Sequence, residues 1–194
     1  DERAVRMVYA LTFAVPGTPI LFYGEEIGMG ENLDLDGRLA VRTPMQWSAE
    51  GGFSTARPSR WVRRAPAGPY GPENVNVDHQ LADPGSLLSH LRQVIGLYRS
   101  TPEQAWSQLE VLPGGPAEVL AHVCRGDDWA MLALHSFASQ GATVRITVKA
   151  TDAVLTARLT GAENDATAPE TLDLEPDGWR WFLLHPADAE VAGR

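Results

Sequence analysis

Two carboxylates stand side by side at Glu25 and Glu26, directly after Gly24 and the apolar run Ile20 to Tyr23. Paired carboxylates carry much acid–base and glycosyl chemistry, but a retaining glycosidase needs two of them about 5 Å apart across one bond. Neighbours along an extended chain point to opposite sides, so this pair reads as structural support. Arg42, within Val41-Arg-Thr-Pro-Met-Gln-Trp47, is a stronger candidate. A guanidinium presents a planar fork that grips sugar hydroxyls or a carboxylate; the plainer alternative is an arginine that ties down its own loop. Gln46 and Trp47 read first as loop packing and second as sugar contacts. Tyr23 and Phe22 read as interior packing, although a tyrosine at the exit of an apolar run can also line a pocket.

Other groups are weaker. Asn32-Leu-Asp34-Leu-Asp36-Gly37 imitates the opening of a calcium loop, but its twelfth position is Thr43 rather than glutamate. Arg57, Arg60, Arg63 and Arg64 with Trp61 form a basic-aromatic cluster, read as a solvated loop before a sugar rim or a base-stacking surface. His79, His90, His122, His135 and His185 show no ligand spacing, so no metal is expected. No nucleophile elbow, phosphate-cradling glycine loop or dinucleotide fingerprint occurs, and no cofactor is expected. Trp179 and Trp181 share a face by two-residue alternation and read as packing before a sugar platform.

These residues need elements to hold them. Asp1 to Ala14 has helical spacing, with Val5, Val8, Leu11 and Met7 on one stripe. Ile20 to Tyr23, short and bounded by Pro and Gly, reads as a strand buried on both faces in a parallel sheet. The polar residues would then lie just past its C-terminal end, where α/β folds place their sites. Residues 30–64 and 65–84 are irregular and too long for passive linkers. A helix follows from about Leu87 to Arg99, capped by Asp83 or Ser86. Its apolar face takes in Leu87, Leu88, Leu91, Val94, Ile95 and Leu97 or Tyr98. From about residue 109 short apolar runs recur with turns between them: 119–124, 129–135, 144–148, 155–159, 172–174 and 179–184. That spacing predicts an antiparallel sheet or sandwich. The expected division is 1–106 and 107–194. The first part holds one dry strand without the neighbours it needs, so the chain is expected to be the C-terminal piece of something larger.

The 194 residues carry a net charge of −9 and 44% apolar residues, with a mean hydropathy of −0.18. An acidic balance argues against nucleic acid, whose phosphates call for the opposite sign, and suits neutral substrates. No run approaches the ~20 apolar residues of a membrane span, so no membrane partner is expected. The single cysteine, Cys124, excludes an internal disulfide, reads as a small core residue, and favours a reducing, cytoplasmic setting.

Gly17-x-Pro19-x4-Gly24-x-Glu26 resembles the final-strand signature of the alpha-amylase superfamily of glycoside hydrolases and transglycosylases. Arg42-Thr-Pro-Met-Gln-Trp47 is similar to its α-glucosidase and trehalose synthase branch. Gly28-Met-Gly-Glu-Asn, Gly51-Gly-Phe-Ser and Gly71-Pro-Glu-Asn-Val-Asn-Val are most similar to trehalose synthase. The resemblance covers about residues 1–110. It implies a (β/α)8 barrel, of which the chain holds the seventh helix, eighth strand and last helix, followed by a small antiparallel β-sandwich. It also implies a retaining mechanism on α-linked gluco-oligosaccharides or disaccharides such as maltose and trehalose. Arg42, Gln46 and Tyr23 become the residues expected to bind substrate, because the family's matching loop borders the sugar subsites. The catalytic Asp, Glu and Asp of the family would precede Asp1, so the isolated chain is expected to be inactive. The alternatives are a non-catalytic β-domain that holds carbohydrate, or a fragment without a function of its own.

Overall fold

The computed structural model describes residues 1–57, 64–127, 129–149, 154–157, 171–185 and 190–193. By internal contact the chain forms two units, one of Asp1–Pro19 with Val94–Arg194 and one of Ile20–Gln93.

In the first unit, α1 spans Glu2–Ala14, with the Asp1 carboxylate accepting from the Arg3 amide as a cap. Its buried face is Met7, Ala10, Phe13 and Ala14, while Val5 and Val8 are 41% and 48% exposed. The expected stripe is thus corrected. Apolar residues lie on two sides of this helix, and the side bearing Phe13 and the small alanines is the one that packs. Two antiparallel sheets follow. β1 (Gln108–Val111), β2 (Val119–Arg125), β3 (Ala130–Ser136), β7 (Trp179–His185) and β5 (Val154–Ala157) form one, in that spatial order. β6 (Thr171–Leu174), β4 (Ala142–Lys149) and β8 (Glu190–Gly193) form the other. The predicted runs coincide with strands β2 to β7, except that residues 158 and 159 of the run 155–159 lie outside the described residues; β1 and β8, too short and polar to signal themselves, are additions.

Alternation assigns the two faces of the larger sheet. Ala121, Val123, Leu132, Leu134 and Phe182 meet Val144 and Leu174 of the smaller sheet in one core. On the opposite face, His122 and Cys124 reach the last turn of α1. β3 is buried along its whole length, which explains why its sequence is continuously apolar rather than alternating.

The end of α1 shows where its orphaned carbonyls go. Gln104 Nε2 donates to the Phe13 carbonyl at 2.6 Å. His122 Nε2 and Cys124 Sγ both donate to the Ala14 carbonyl, each at 3.2 Å. Burial pushes the Cys124 thiol up, with a hydrogen bond from Ser107 opposing, so the thiol is a packing group that donates. Phe13 meets Tyr98 edge-on at 5.7 Å, and the Tyr98 hydroxyl donates to the Gly17 carbonyl at 2.8 Å.

In the second unit, the expected strand Ile20 to Tyr23 is not one. Its residues carry no strand ladder, and Ile20 is 86% exposed. A strand exists only where a neighbour takes up its amides and carbonyls, and no described segment lies alongside. The segment ends in a tight turn at Gly24, whose φ of 91° suits glycine and whose missing side chain leaves room for Met29 Sδ, 2.6 Å from where a Cβ would stand. Two helices follow, α2 (Val77–Ala82) and α3 (Leu87–Ser100), through which the chain passes into the other unit. Ser86 caps α3 by accepting from the Ser89 amide at 3.1 Å, which resolves the choice between Asp83 and Ser86. No helix among the described residues is long and apolar enough to cross a membrane.

Candidate functional site

The second unit is organised around the loop Arg42 to Gly51. Tyr23 donates its hydroxyl to the Thr43 carbonyl at 3.0 Å, so the end of the apolar segment grips the loop beside Arg42. Thr43, Met45 and Gln46 are buried, while Arg42 and Trp47 are exposed. The Gln46 amide donates to the Val75 carbonyl. The main-chain carbonyls of Gln46 and Trp47 accept from the Val77 and Asp78 amides at 3.0 and 3.1 Å, so the loop takes up the first free donors of α2. A turn closes the far end, with Trp47 N–H on the Gly51 carbonyl at 2.8 Å.

α2 owes its start to Asn76. This fully buried side chain accepts from the His79 amide at 2.8 Å and donates to the Pro72 carbonyl at 2.8 Å. Gln80 then ties three segments together: its amide donates to the Ile27 carbonyl at 2.7 Å, its side-chain oxygen accepts from Leu88 N–H, and its backbone carbonyl accepts from Ser86 Oγ. Neither residue stands out in the sequence, where 74–80 reads as irregular. The available signal is an Asn placed three residues before His79, the spacing of a helix cap. Replacing Asn76 with Ala removes both bonds and leaves the Pro72 carbonyl without that donor. The expected cost is about 1–2 kcal/mol, with faster hydrogen exchange at the Val77, Asp78 and His79 amides. Unchanged exchange there would show that the loop is held in some other way.

Of the three residues expected to bind substrate, the fold brings Tyr23 and Arg42 onto the same short stretch of loop, with Gln46 on its inner side. Arg42 extends its guanidinium outward and pairs with no described carboxylate. Gln46 is aimed inward, and its Oε1 has no partner among the described residues. Glu25 and Glu26 fold back onto their own turn, accepting from the Phe22 amide at 3.1 Å and the Gly24 amide at 2.6 Å; adjacency makes them turn-closing groups. Asn32 is similarly engaged, its oxygen on the Asp34 amide and its amide on the Arg64 carbonyl, both at 3.1 Å. Among the described residues no group of His, Cys, Asp and Glu gathers as metal ligands. Arg60, Trp61 and Arg63 of the basic-aromatic cluster lie outside the described residues. Chemically, the loop offers one exposed planar cation on a backbone pinned at Thr43, Gln46 and Trp47.

Trp181, His122 and His135 serve packing. Trp181 is buried, 5.5 Å from the Trp179 ring, and its indole N–H donates to His135 Nε2 at 3.4 Å. His135 stacks on His122 at 5.6 Å. Desolvation, with the neighbouring His122 adding to it, pushes His135 down to about 3, and burial lowers His122 also, opposed by its bond to Ala14.

The chain belongs to the alpha-amylase family: residues 1–105 match the alpha amylase catalytic domain. Among curated relatives, the trehalose synthase of Pimelobacter sp. (strain R48) is 32% identical over 204 residues, covering all of this chain and 35% of that protein. The trehalose synthase/amylase TreS of Mycobacterium tuberculosis is 33% identical over 193 residues, covering 95% and 32%. An α-glucosidase of Culex pipiens is 33% identical over 129 residues, covering 64% and 21%. Among solved structures, the trehalulose synthase MutB of Pseudomonas mesoacidophila MX-45 superposes with a TM-score of 0.73 at 21% identity, over 94% of this chain and 38% of that one. That likeness speaks for the fold. The chain spans about a third of the length of the trehalose synthases it matches.

Proposed function

We propose that this chain is the C-terminal portion of a retaining, α-glucan-active enzyme of trehalose synthase or α-glucosidase type, working in the cytoplasm without a cofactor. In this reading residues 1–106 complete a (β/α)8 barrel, with α1 as its seventh helix, Ile20 to Tyr23 as its eighth strand and α3 as its last helix. Residues 107–194 are the following β-domain. The nucleophile and acid/base carboxylates lie in a preceding segment. The observation that carries this is the end-to-end alignment of the chain with a trehalose synthase about three times its length. The unpaired apolar segment at Ile20 supports it, because flanking barrel strands would supply the ladder that segment lacks.

Within the completed site, Arg42 holds hydroxyls of an α-linked disaccharide or orients a catalytic carboxylate through its fork. Tyr23 and Gln46 fix the loop from which it projects. Whether the glucosyl group passes to water or to a second sugar depends on how fully the closed site excludes water.

The test is to express the longest open reading frame containing this chain and to assay it with maltose. Trehalose or glucose formation is expected, with Arg42→Ala lowering kcat/KM by at least about tenfold, roughly 1.4 kcal/mol of transition-state stabilisation. The chain by itself is expected to turn over neither maltose nor trehalose. A longer protein inert on every α-linked disaccharide, or a fully active Arg42→Ala variant, would refute this assignment.

A further inference from the structure

The loop from Asn32 to Ala40, closed by the Asn32 amide on the Ala40 carbonyl at 3.0 Å, contains the step Asp36-Gly37. We infer that this step is a site of spontaneous isoaspartate formation, a modification that loosens the turn leading to Arg42.

The chemistry needs a carboxyl not held elsewhere, a following amide that is uncrowded, and a peptide able to swing between them. Asp36 and Gly37 are both exposed. The Asp36 carboxylate makes no cap bond to the short turn of helix, Gly37–Leu39, that follows it. The Gly37 amide, at the first position of that turn, has no acceptor among the described residues. Asp36 has a ψ of 135°, so the peptide must rotate to bring the Gly37 nitrogen to Cγ. Nothing lies within 4 Å of where a Cβ on Gly37 would stand, and glycine adopts either sign of φ with little cost, so that rotation is open.

In the first step the Gly37 nitrogen bonds to Cγ of the protonated Asp36 side chain. The carboxyl hydroxyl and the amide proton leave together as one water, and a five-membered succinimide closes. One water then opens the ring. Cleavage at Cγ restores aspartate; cleavage at the main-chain carbonyl routes the backbone through Cγ and leaves that carbonyl as a pendant carboxylate. The net change is an isomerisation that needs no oxidant, reductant or co-reactant.

The Asp36 carbonyl accepts from the Leu39 amide at 3.2 Å, and the Leu39 carbonyl accepts from the Arg42 amide at 3.0 Å. Isomerisation removes the first carbonyl from the main chain and lengthens the backbone by one methylene, so the turn before Arg42 loses its closing bond. That this matters for a sugar site rests on the function proposed above; the isomerisation itself does not.

The chain supplies its own control in Asp177-Gly178, its other Asp-Gly step. There the Gly178 amide donates to the Glu175 carbonyl at 2.8 Å, and the Gly178 carbonyl accepts from the Ser136 amide at 2.8 Å. A Cβ on Gly178 would stand 2.7 Å from the Glu175 oxygen. That peptide is held on both sides, so the fold protects it.

The experiment is to incubate the whole chain at 37 °C and neutral pH. Isoaspartate is then mapped by peptide mass spectrometry and by methyl transfer from an isoaspartyl carboxyl methyltransferase. Position 36 should isomerise at least about tenfold faster than position 177, a barrier difference of about 1.4 kcal/mol. In urea-unfolded chain the two should react at similar rates. Asp36→Glu, which would need a six-membered ring, should abolish the signal from that peptide and leave the melting temperature unchanged. Hydrogen exchange at the Leu39 and Arg42 amides should be faster in the isomerised fraction than in fresh protein. Equal accumulation at 36 and 177 in the folded chain, or none at 36, would overturn the site. Unchanged exchange at Leu39 and Arg42 would overturn its effect on the turn. None of these readouts depends on turnover, so failure here is separable from failure of the enzymatic assignment.

Discussion

Lowering the pH from 7 to about 4 should unfold the β-sheet unit more readily than its exposed charges alone would, and replacing His135 with Gln should remove much of that sensitivity. His135 is completely buried, accepts from the Trp181 indole at Nε2, and has no described partner at Nδ1. A carbonyl can only accept, so His122 must keep its proton on Nε2 to hold Ala14. Both rings are neutral when folded, and desolvation keeps them so, His135 down to about 3. In the unfolded chain each takes up a proton near pH 6.5. Below that value the unfolded state holds more protons, so stability falls with pH, by about 1.4 kcal/mol per pH unit for each histidine, until the folded group titrates. For His135 the window runs from 6.5 down to about 3.

His135→Gln keeps an acceptor for Trp181 and removes the titration. Urea denaturation at pH 7.5, 6 and 5 should therefore show a shallower pH slope in the variant, whatever its stability at pH 7.5. Parallel slopes would mean that His135 is not held neutral in this interior.

Phe182→Ala should destabilise the β-sheet unit more than any cap or surface substitution, costing about 3–5 kcal/mol. Phe182 is 3% exposed and sits in β7 opposite Leu132 of β3. Its side chain enters the core shared with Val144 and Leu174 of the smaller sheet. Removing the ring loses its transfer free energy and leaves a cavity that two sheets, each held by its own ladder, cannot collapse to fill. Against a total stability of about 5–15 kcal/mol, the melting temperature should fall by about 10 °C. Phe182→Leu should recover most of the loss, and Trp106→Ala should shift stability by no more than about 0.5 kcal/mol. A loss below about 1 kcal/mol for Phe182→Ala would show that the two sheets do not share a core.

The contrast between β3 and Ile20 to Tyr23 shows what apolar patterning can decide. Both are continuously apolar, and continuity implies cover on both faces. β3 has that cover, with the smaller sheet on one face and the α1 side on the other. Ile20 to Tyr23 has no strand neighbour among the described residues and forms no ladder. A run of apolar residues states what a segment needs, and only the surrounding chain states whether the need is met.

Local chemistry was legible from the residues alone. The spans of α1 and α3, the strand runs within the described residues, the burial of Cys124 and the structural role of adjacent Glu25 and Glu26 depend on neighbours a few positions away, where backbone geometry fixes what can meet what. The family motifs around Gly24 and Arg42 are local in the same sense. Only the tertiary structure decided which face of α1 is buried, that the Gln46 side chain turns inward, and that Gln104, His122 and Cys124 serve carbonyls 91, 108 and 110 positions away. Those pairings are chosen by how sheets and helices pack, because any of several buried donors satisfies a free carbonyl equally well until packing brings one of them within reach.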